Sequence, residues 1–225
     1  MSENGCRMKK SKLLVLIFFY SLFIGCFHNQ KGQKPDDGEA SQPRDSSYIF
    51  DGKTLTGWEI TNFGPQGPVF ISDDQVVLGM GDGCTGITWK GKFPPVGYEV
   101  TLEAKRIDGN DFFCGMTFPV GKDPCTLIVG GWGGTVVGLS SINGMDASEN
   151  ETSTLRQFEK DRWYTIRLRV TEELIQAWID DEIVVDFAIG SNSLSIRPEV
   201  ELSKPFGIAS WRTTAAIRNI RVVEI

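Results

Sequence analysis

Residues Tyr98–Gly134 read YEVTLEAKRIDGNDFFCGMTFPVGKDPCTLIVGGWGG, and the alternation at the start of this stretch decides the fold. Tyr98, Val100, Leu102 and Ala104 fall on one parity, and Glu99, Thr101, Glu103 and Lys105 on the other. That is the period-2 pattern of a strand with one face in a core and one face outward. Asp108-Gly109-Asn110-Asp111 then predicts a turn, because Gly accepts positive φ and Asn and Asp side chains bond the local backbone. A return strand over Phe112–Phe118 follows. A third, apolar strand over Thr126–Trp132 ends in glycines, where bare backbone can come close to a neighbour or ligand. Two carboxylates, an arginine, an aspartate and a tryptophan thus surround one antiparallel ribbon, and a functional site is expected there.

Outward from the ribbon the chain repeats this style. Val69-Phe70-Ile71, Gln75–Leu78 and Thr85–Trp89 read as short strands. The glycine-rich Gly79–Gly86 lacks the strand-then-helix context and the Lys of a phosphate loop, so no nucleotide site is expected. Downstream, Asn143-Gly144 signals a turn and Asp146–Thr154 a polar loop. Tyr164–Val170 alternates as a strand, and Leu174–Ile179 and Ile183–Phe187 bracket Asp180-Asp181 as a hairpin. Phe206–Trp211 and Ile217–Val223 close the chain. About a dozen short strands with regular turn signals and no amphipathic helix predict an all-β, antiparallel two-sheet sandwich.

The N-terminus is of another kind. Arg7, Lys9, Lys10 and Lys12 precede an apolar run, Leu13–Ile24, the order of a secretory signal. Twelve residues are too few to cross a bilayer core of about 30 Å comfortably. The run ends Leu22-Phe23-Ile24-Gly25-Cys26, which resembles the lipobox of bacterial lipoproteins and implies cleavage after Gly25 with lipidation of Cys26. Residues 1–25 are therefore expected to be a signal peptide and 26–47 a lipidated, flexible tether rich in Gly, Pro, Asp, Ser and Gln. Residues 48–225 are the size of one domain with a substantial core. Acyl chains would hold that domain at the cell envelope, periplasmic or surface-facing, with the membrane contacted through the anchor only.

Composition excludes several chemistries. The only histidine, His28, lies in the tether, so a histidine-based triad or zinc site in the domain is ruled out. Without residues 1–25 the chain carries 19 Lys and Arg against 28 Asp and Glu, a net charge of −9, which repels nucleic acid and anionic lipid. The domain has three cysteines, Cys84, Cys114 and Cys125. An odd number leaves at least one thiol unpaired; a Cys114–Cys125 disulfide between adjacent strands and three buried thiols are both open.

Ile49–Trp58, IFDGKTLTGW, resembles the opening of the bacterial 3-keto-disaccharide hydrolase family. The likeness extends over residues 48–225 in strand order and in the segments Trp163-Tyr164-Thr165-Ile166-Arg167 and Trp178-Ile179-Asp180. Asp51-Gly52-Lys53 itself reads as a turn before a strand, with Trp58 in the core. The resemblance implies a concanavalin A-like jelly roll and cleavage of glycosides already oxidised at C3. It departs from the family at Asn110-Asp111-Phe112-Phe113-Cys114-Gly115, where many members carry Asn-Ser-Gly, which marks a divergent branch.

A jelly roll bends one sheet into a concave face, and sugars bind such faces through aromatic stacking and networks of carboxylate, amide and Arg. The residues expected there are Glu103, Arg106, Asp111, Trp132, Asn150, Glu151, Trp211 and Arg212. The implied chemistry needs one carboxylate base and an electrophile for the enolate oxygen. Glu103 or Asp111 is the expected base, with Arg106 or a divalent cation as stabiliser. Asp108, Asn110 and Asp111 offer oxygens of the kind Ca²⁺ prefers, but they fall short of a recognised calcium loop and a plain turn accounts for them better. Glu99 and Glu103 stand about 13 Å apart along one strand, too far for a retaining pair. Glu199 and Glu201 are expected on one face of an edge strand, about 6.6 Å apart, which permits inversion geometry although exposed acidic alternation accounts for them better. Asn150-Glu151-Thr152 matches a glycosylation sequon that reads as a ligand-facing loop. A carbohydrate or modified glycoside is the expected partner; a non-catalytic carbohydrate-binding module or a laminin-G-like adhesion domain would need only the same face.

Overall fold

Residues 47–225 are described by a computed structural model. The expected signal segment, Cys26, His28 and the tether up to residue 46 lie outside the described residues. Among the described residues no helix is long and apolar enough to cross a membrane.

The strands are β1 Trp58–Ile60, β2 Val69–Ser72, β3 Gln75–Leu78, β4 Cys84–Trp89, β5 Tyr98–Asp108, β6 Cys114–Val120 and β7 Asp123–Gly131. They continue with β8 Val136–Ser140, β9 Thr154–Leu155, β10 Tyr164–Val170, β11 Leu174–Ile179, β12 Glu182–Ala188, β13 Gly207–Trp211 and β14 Thr214–Glu224. They form two seven-stranded sheets with antiparallel pairing throughout, β1-β4-β13-β6-β7-β8-β9 and β12-β11-β10-β5-β14-β3-β2. The architecture is the predicted two-sheet jelly-roll sandwich.

Parity decides what each strand buries. On β5, Tyr98, Val100, Leu102 and Ala104 enter the core between the sheets, while Glu99, Thr101, Glu103 and Lys105 point outward. From the first sheet Ile87, Met116, Phe118, Leu127, Val129, Leu139 and Ile208 face them. Each large apolar side chain so buried contributes about 1.5–3 kcal/mol. The polar ends of core aromatics are satisfied: Tyr98 Oη donates to the Pro119 carbonyl (2.6 Å) and Trp58 Nε1 to that of Ile49 (2.8 Å). Ahead of Trp58, the Lys53 and Thr54 amides donate to Asp51 Oδ1 (2.8 and 2.6 Å), the turn expected of Asp51-Gly52-Lys53.

The other face of the first sheet is built from small residues, among them Gly86, Gly115, Thr117, Thr126, Gly138 and Ala209. Chain packs directly over it. A Cβ on Gly138 would lie 3.1 Å from the Thr152 carbonyl, and one on Gly207 would lie 2.7 Å from that of Ser203. So the loop 141–152 covers one side of this face and a 3-10 helix, Pro198–Ser203, covers the other.

That helix corrects one expectation. Glu199 and Glu201 do not share a strand face, because Pro198 in the first helical turn fixes φ for a helical start, followed by two glutamates. The cysteines settle as well. Cys84, Cys114 and Cys125 are all free and buried. Although β6 and β7 are neighbours, Cys114 pairs with Val129 and Cys125 with Phe118, a four-residue offset of about 13 Å along the strands that no disulfide spans.

Candidate active site in the gap over the first sheet

Between the loop 141–152 and the 3-10 helix the outer face of the first sheet stays open as a cavity of about 200 Å³. Its floor is Cys84 from β4, Thr126 and Ile128 from β7 and Ser140 from β8. Trp132 from the β7–β8 turn, Trp211 at the end of β13 and Asp111-Phe112 from the β5–β6 connection add further lining, with Arg197, Glu199 and Val200 from the helix and the residues before it.

Two carboxylates reach this cavity. Asp111 is fixed through its backbone: its amide donates to Thr213 Oγ1 (3.1 Å), and its Oδ1 accepts from the Phe112 amide (2.7 Å). Glu199 is held by Arg197, whose Nη2 donates to Oε1 (2.8 Å) and Nε to Oε2 (3.3 Å). These bonds hold the Glu199 carboxyl below the usual carboxylate range, against the opposing effect of partial burial. The guanidinium also donates through Nη1 to Asp146, so one side chain ties the helix to the loop across the gap. Of its five N–H groups two remain by count. Cys84 lies under both acids: burial, then the charges of Glu199 and Asp111, push its thiol up to about 12, so it is a neutral floor and no nucleophile.

The expected site residues separate accordingly. Asp111, Trp132 and Trp211 come together at the cavity. Trp132 is not the end of a strand but sits in the turn at φ 47° with 40 % of its surface exposed. Arg212 stands behind Trp211, its guanidinium 5.8 Å from that ring and 2.6 Å from Asp82, and does not line the cavity. Glu103 lies on the outer face of the other sheet, where Arg218 Nε (2.7 Å) and Asn219 Nδ2 (2.6 Å) donate to it. Arg106 is no rim residue. It is 6 % exposed, points between the sheets and donates through Nη2 to the carbonyls of Gly130 (3.3 Å) and Gly134 (3.0 Å). Burial pulls its pKa down while Asp111 and Tyr164 pull it back.

Asn150 faces no ligand either. Its Nδ2 donates to the carbonyls of Leu139, Asp146 and Met145 (2.7, 2.9 and 3.1 Å), and its Oδ1 accepts from the amide and hydroxyl of Thr152. That amide folds the loop and leaves no nitrogen for a glycan, while Glu151 is exposed beside it and does not line the cavity. Asp108, one of the proposed calcium ligands, instead accepts from Lys160 Nζ (2.7 Å), which lowers its pKa. Among the described residues no group of three or more His, Cys, Asp or Glu is arranged to hold a metal.

Sequence reasoning missed Cys84, Arg197 and Asp146, and set Glu199 on a strand where the structure has a 3-10 helix. The signal for Glu199 was Pro198, which breaks a strand and opens a helix; nothing local marks Arg197 or Cys84, whose partners are remote in sequence.

Residues 45–223 match the 3-keto-alpha-glucoside-1,2-lyase-like domain. No curated protein matches the chain. Among solved structures, the Crh5 transglycosylase in complex with NAG aligns at a TM-score of 0.54 with 14 % identity, covering 77 % of this chain and 80 % of that one. A Bacillus subtilis protein of unknown function with a galectin-like fold aligns at 0.54 with 12 % identity, covering 76 % and 90 %. At such identities the likeness is one of fold.

Proposed function

Since this chain belongs to the 3-keto-alpha-glucoside-1,2-lyase-like family, a carbohydrate-related group, we propose that it cleaves a 3-keto-glycoside in the cavity over its first sheet, with Asp111 as the base. The observation that carries this reading is the contrast between the two cavity carboxylates: Glu199 is occupied by Arg197, whereas Asp111 receives one local amide and faces the space beside Trp132 and Trp211.

In such a sugar the C3 ketone acidifies the C2 proton. Asp111 takes that proton, electron density moves to the ketone oxygen as an enolate, and the C1–O bond breaks as the enolate collapses. The departing alcohol leaves with the proton that Asp111 carried, and water then adds across C1 and C2, so that the net change is hydrolysis. The remaining N–H groups of Arg197 are the donors for the enolate oxygen. Trp132 and Trp211 offer apolar faces for the sugar ring. The basic segment and apolar run ending at Cys26 support the further reading that the domain works at the cell envelope on a lipid anchor.

The test is turnover of a 3-keto-glucoside by the full chain and by two variants. Asp111→Asn is expected to lose turnover by at least about a hundredfold, the usual size of a lost general base, while Glu103→Gln, on the opposite sheet, retains it. Loss with Glu103→Gln and not with Asp111→Asn overturns the assignment. Saturable sugar binding without turnover in the unmodified chain replaces the enzyme by a binding module.

A further inference from the structure

The second sheet turns a different chemistry outward. On β5 the outer parity carries Glu99, Glu103 and Lys105; on β10 it carries Arg167 and Arg169, and on β14 Arg218. With Arg221 of β14, five cations therefore share this face with three carboxylates, Glu99, Glu103 and Asp186 of β12, in a chain whose net charge is −6. Two indoles hold four of the cations in place. Lys105 Nζ lies 4.8 Å and the Arg218 guanidinium 4.1 Å from the Trp163 ring, and the Arg167 and Arg169 guanidinium groups lie 3.8 and 5.7 Å from that of Trp178. Glu99 is shared between Arg167 (3.4 Å) and Arg169 (2.9 Å). These side chains remain in reach of solvent: Arg169 is 39 % and Arg218 35 % exposed.

We propose that this outer face of the second sheet is a binding surface for an acidic polysaccharide, separate from the cavity and on the opposite side of the sandwich. From β14 to β11 it spans about 14 Å at the usual strand spacing, wide enough to meet successive residues of an extended polymer. Guanidinium groups already ordered against indole rings lose little further freedom when they accept a carboxylate or sulfate. Screening over about 8–10 Å isolates the face from the acidic remainder of the domain.

A lipid surface fits less well, because the exposed apolar side chains of this sheet, Phe70 and Ile183, sit on its two edge strands β2 and β12, and the central indoles are roofed by cations. A single-stranded nucleic acid binds by stacking its bases on free aromatic faces, and both indoles of this face are already covered by cations. Carbohydrate is also what the family handles.

The experiment is retention of the full chain on immobilised polygalacturonate, with dextran as the neutral control. Retention on polygalacturonate only, released by a roughly tenfold rise in salt and by free galacturonate oligomers, is the expected result. The double variant Lys105→Gln/Arg169→Gln, with its fold checked by circular dichroism, is expected to bind about tenfold more weakly, the size of two lost surface charge contacts. Equal retention on dextran, no retention, unchanged binding by the folded double variant, or binding confined to anionic vesicles or a single-stranded oligonucleotide overturns the proposal. The oligomer release needs no variant, and the readout is binding rather than turnover, so an inactive cavity leaves it intact.

Discussion

Arg197 grips Glu199 through two nitrogens, Nη2 on Oε1 at 2.8 Å and Nε on Oε2 at 3.3 Å, whereas the other cavity acid, Asp111, accepts the Phe112 amide on Oδ1 at 2.7 Å. The Arg197 guanidinium also reaches Asp146 in the loop 141–152, adding a side-chain tie to the backbone pairing of Ser141 with Ser195.

Replacing Arg197 with methionine is therefore expected to change binding more than stability. The ion pairs are partly exposed, Arg197 at 44 % and Glu199 at 38 %, and pairs of that kind contribute within about 1 kcal/mol. The pH dependence has a fixed sign. Glu199 has a lowered folded pKa, so its contribution is complete above the unfolded value of about 4.3 and fades as pH falls through the lower folded value. Urea midpoints should accordingly separate the unmodified chain from Arg197→Met at pH 7 and converge as pH falls below the ordinary carboxylate range. A gap that persists in acid would show that the pair does not carry the difference.

Arg106 yields a prediction of the opposite kind. Its Nη2 closes the β7–β8 turn onto Gly130 and Gly134, and its guanidinium lies 5.2 Å from the Phe113 ring. Gly134 at φ 101° also needs the absence of a Cβ, which would fall 3.1 Å from Arg106 Nη1. Arg106→Met removes a charged donor from two buried carbonyls and is expected to cost about 1.5–3 kcal/mol, with Trp132 in that turn becoming more solvent-exposed. A thermal melt and the tryptophan emission maximum check both parts. Arg106→Lys should recover little, since a point charge cannot replace the planar fork.

Arg106 also shows how the sequence was legible and where reading stopped. The alternation that places Tyr98, Val100, Leu102 and Ala104 inward places residue 106 inward too, so at this position parity outweighs charge. Strand existence and pairing followed from period-2 patterns and turn residues, which act locally. Register did not, as the four-residue offset of Cys114 from Cys125 shows. The cavity was half visible. Asp111, Trp132 and Trp211 sit at strand ends and turns that the pattern marks, whereas Arg197 and Glu199 join them only because a proline starts a 3-10 helix that folds back over the first sheet. Asn150 misled for a related reason: a sequon and a buried loop-folding asparagine are the same letters, and only the carbonyls around Nδ2 distinguish them.

Cys84 gives the cavity a chemical reporter. At pH 8 a thiol with pKa about 12 is ionised to about one part in ten thousand, against about a quarter at the ordinary 8.5, and the thiolate is the species that reacts. Peptide mapping after brief iodoacetamide treatment of the native chain should therefore find Cys84 unmodified, together with Cys114 and Cys125, which burial also pushes up to about 12. The three thiols should differ once Glu199 and Asp111 are both neutralised. The Glu199→Gln/Asp111→Asn chain removes the two anions that add to burial in raising the Cys84 pKa, so its alkylation should rise at fixed pH while Cys114 and Cys125, for which neither acid is a cause, stay unreactive. Equal rates for all three in that variant would mean that the acids do not look onto the cavity floor, and the placement of Asp111 beside the reacting sugar would fall with it.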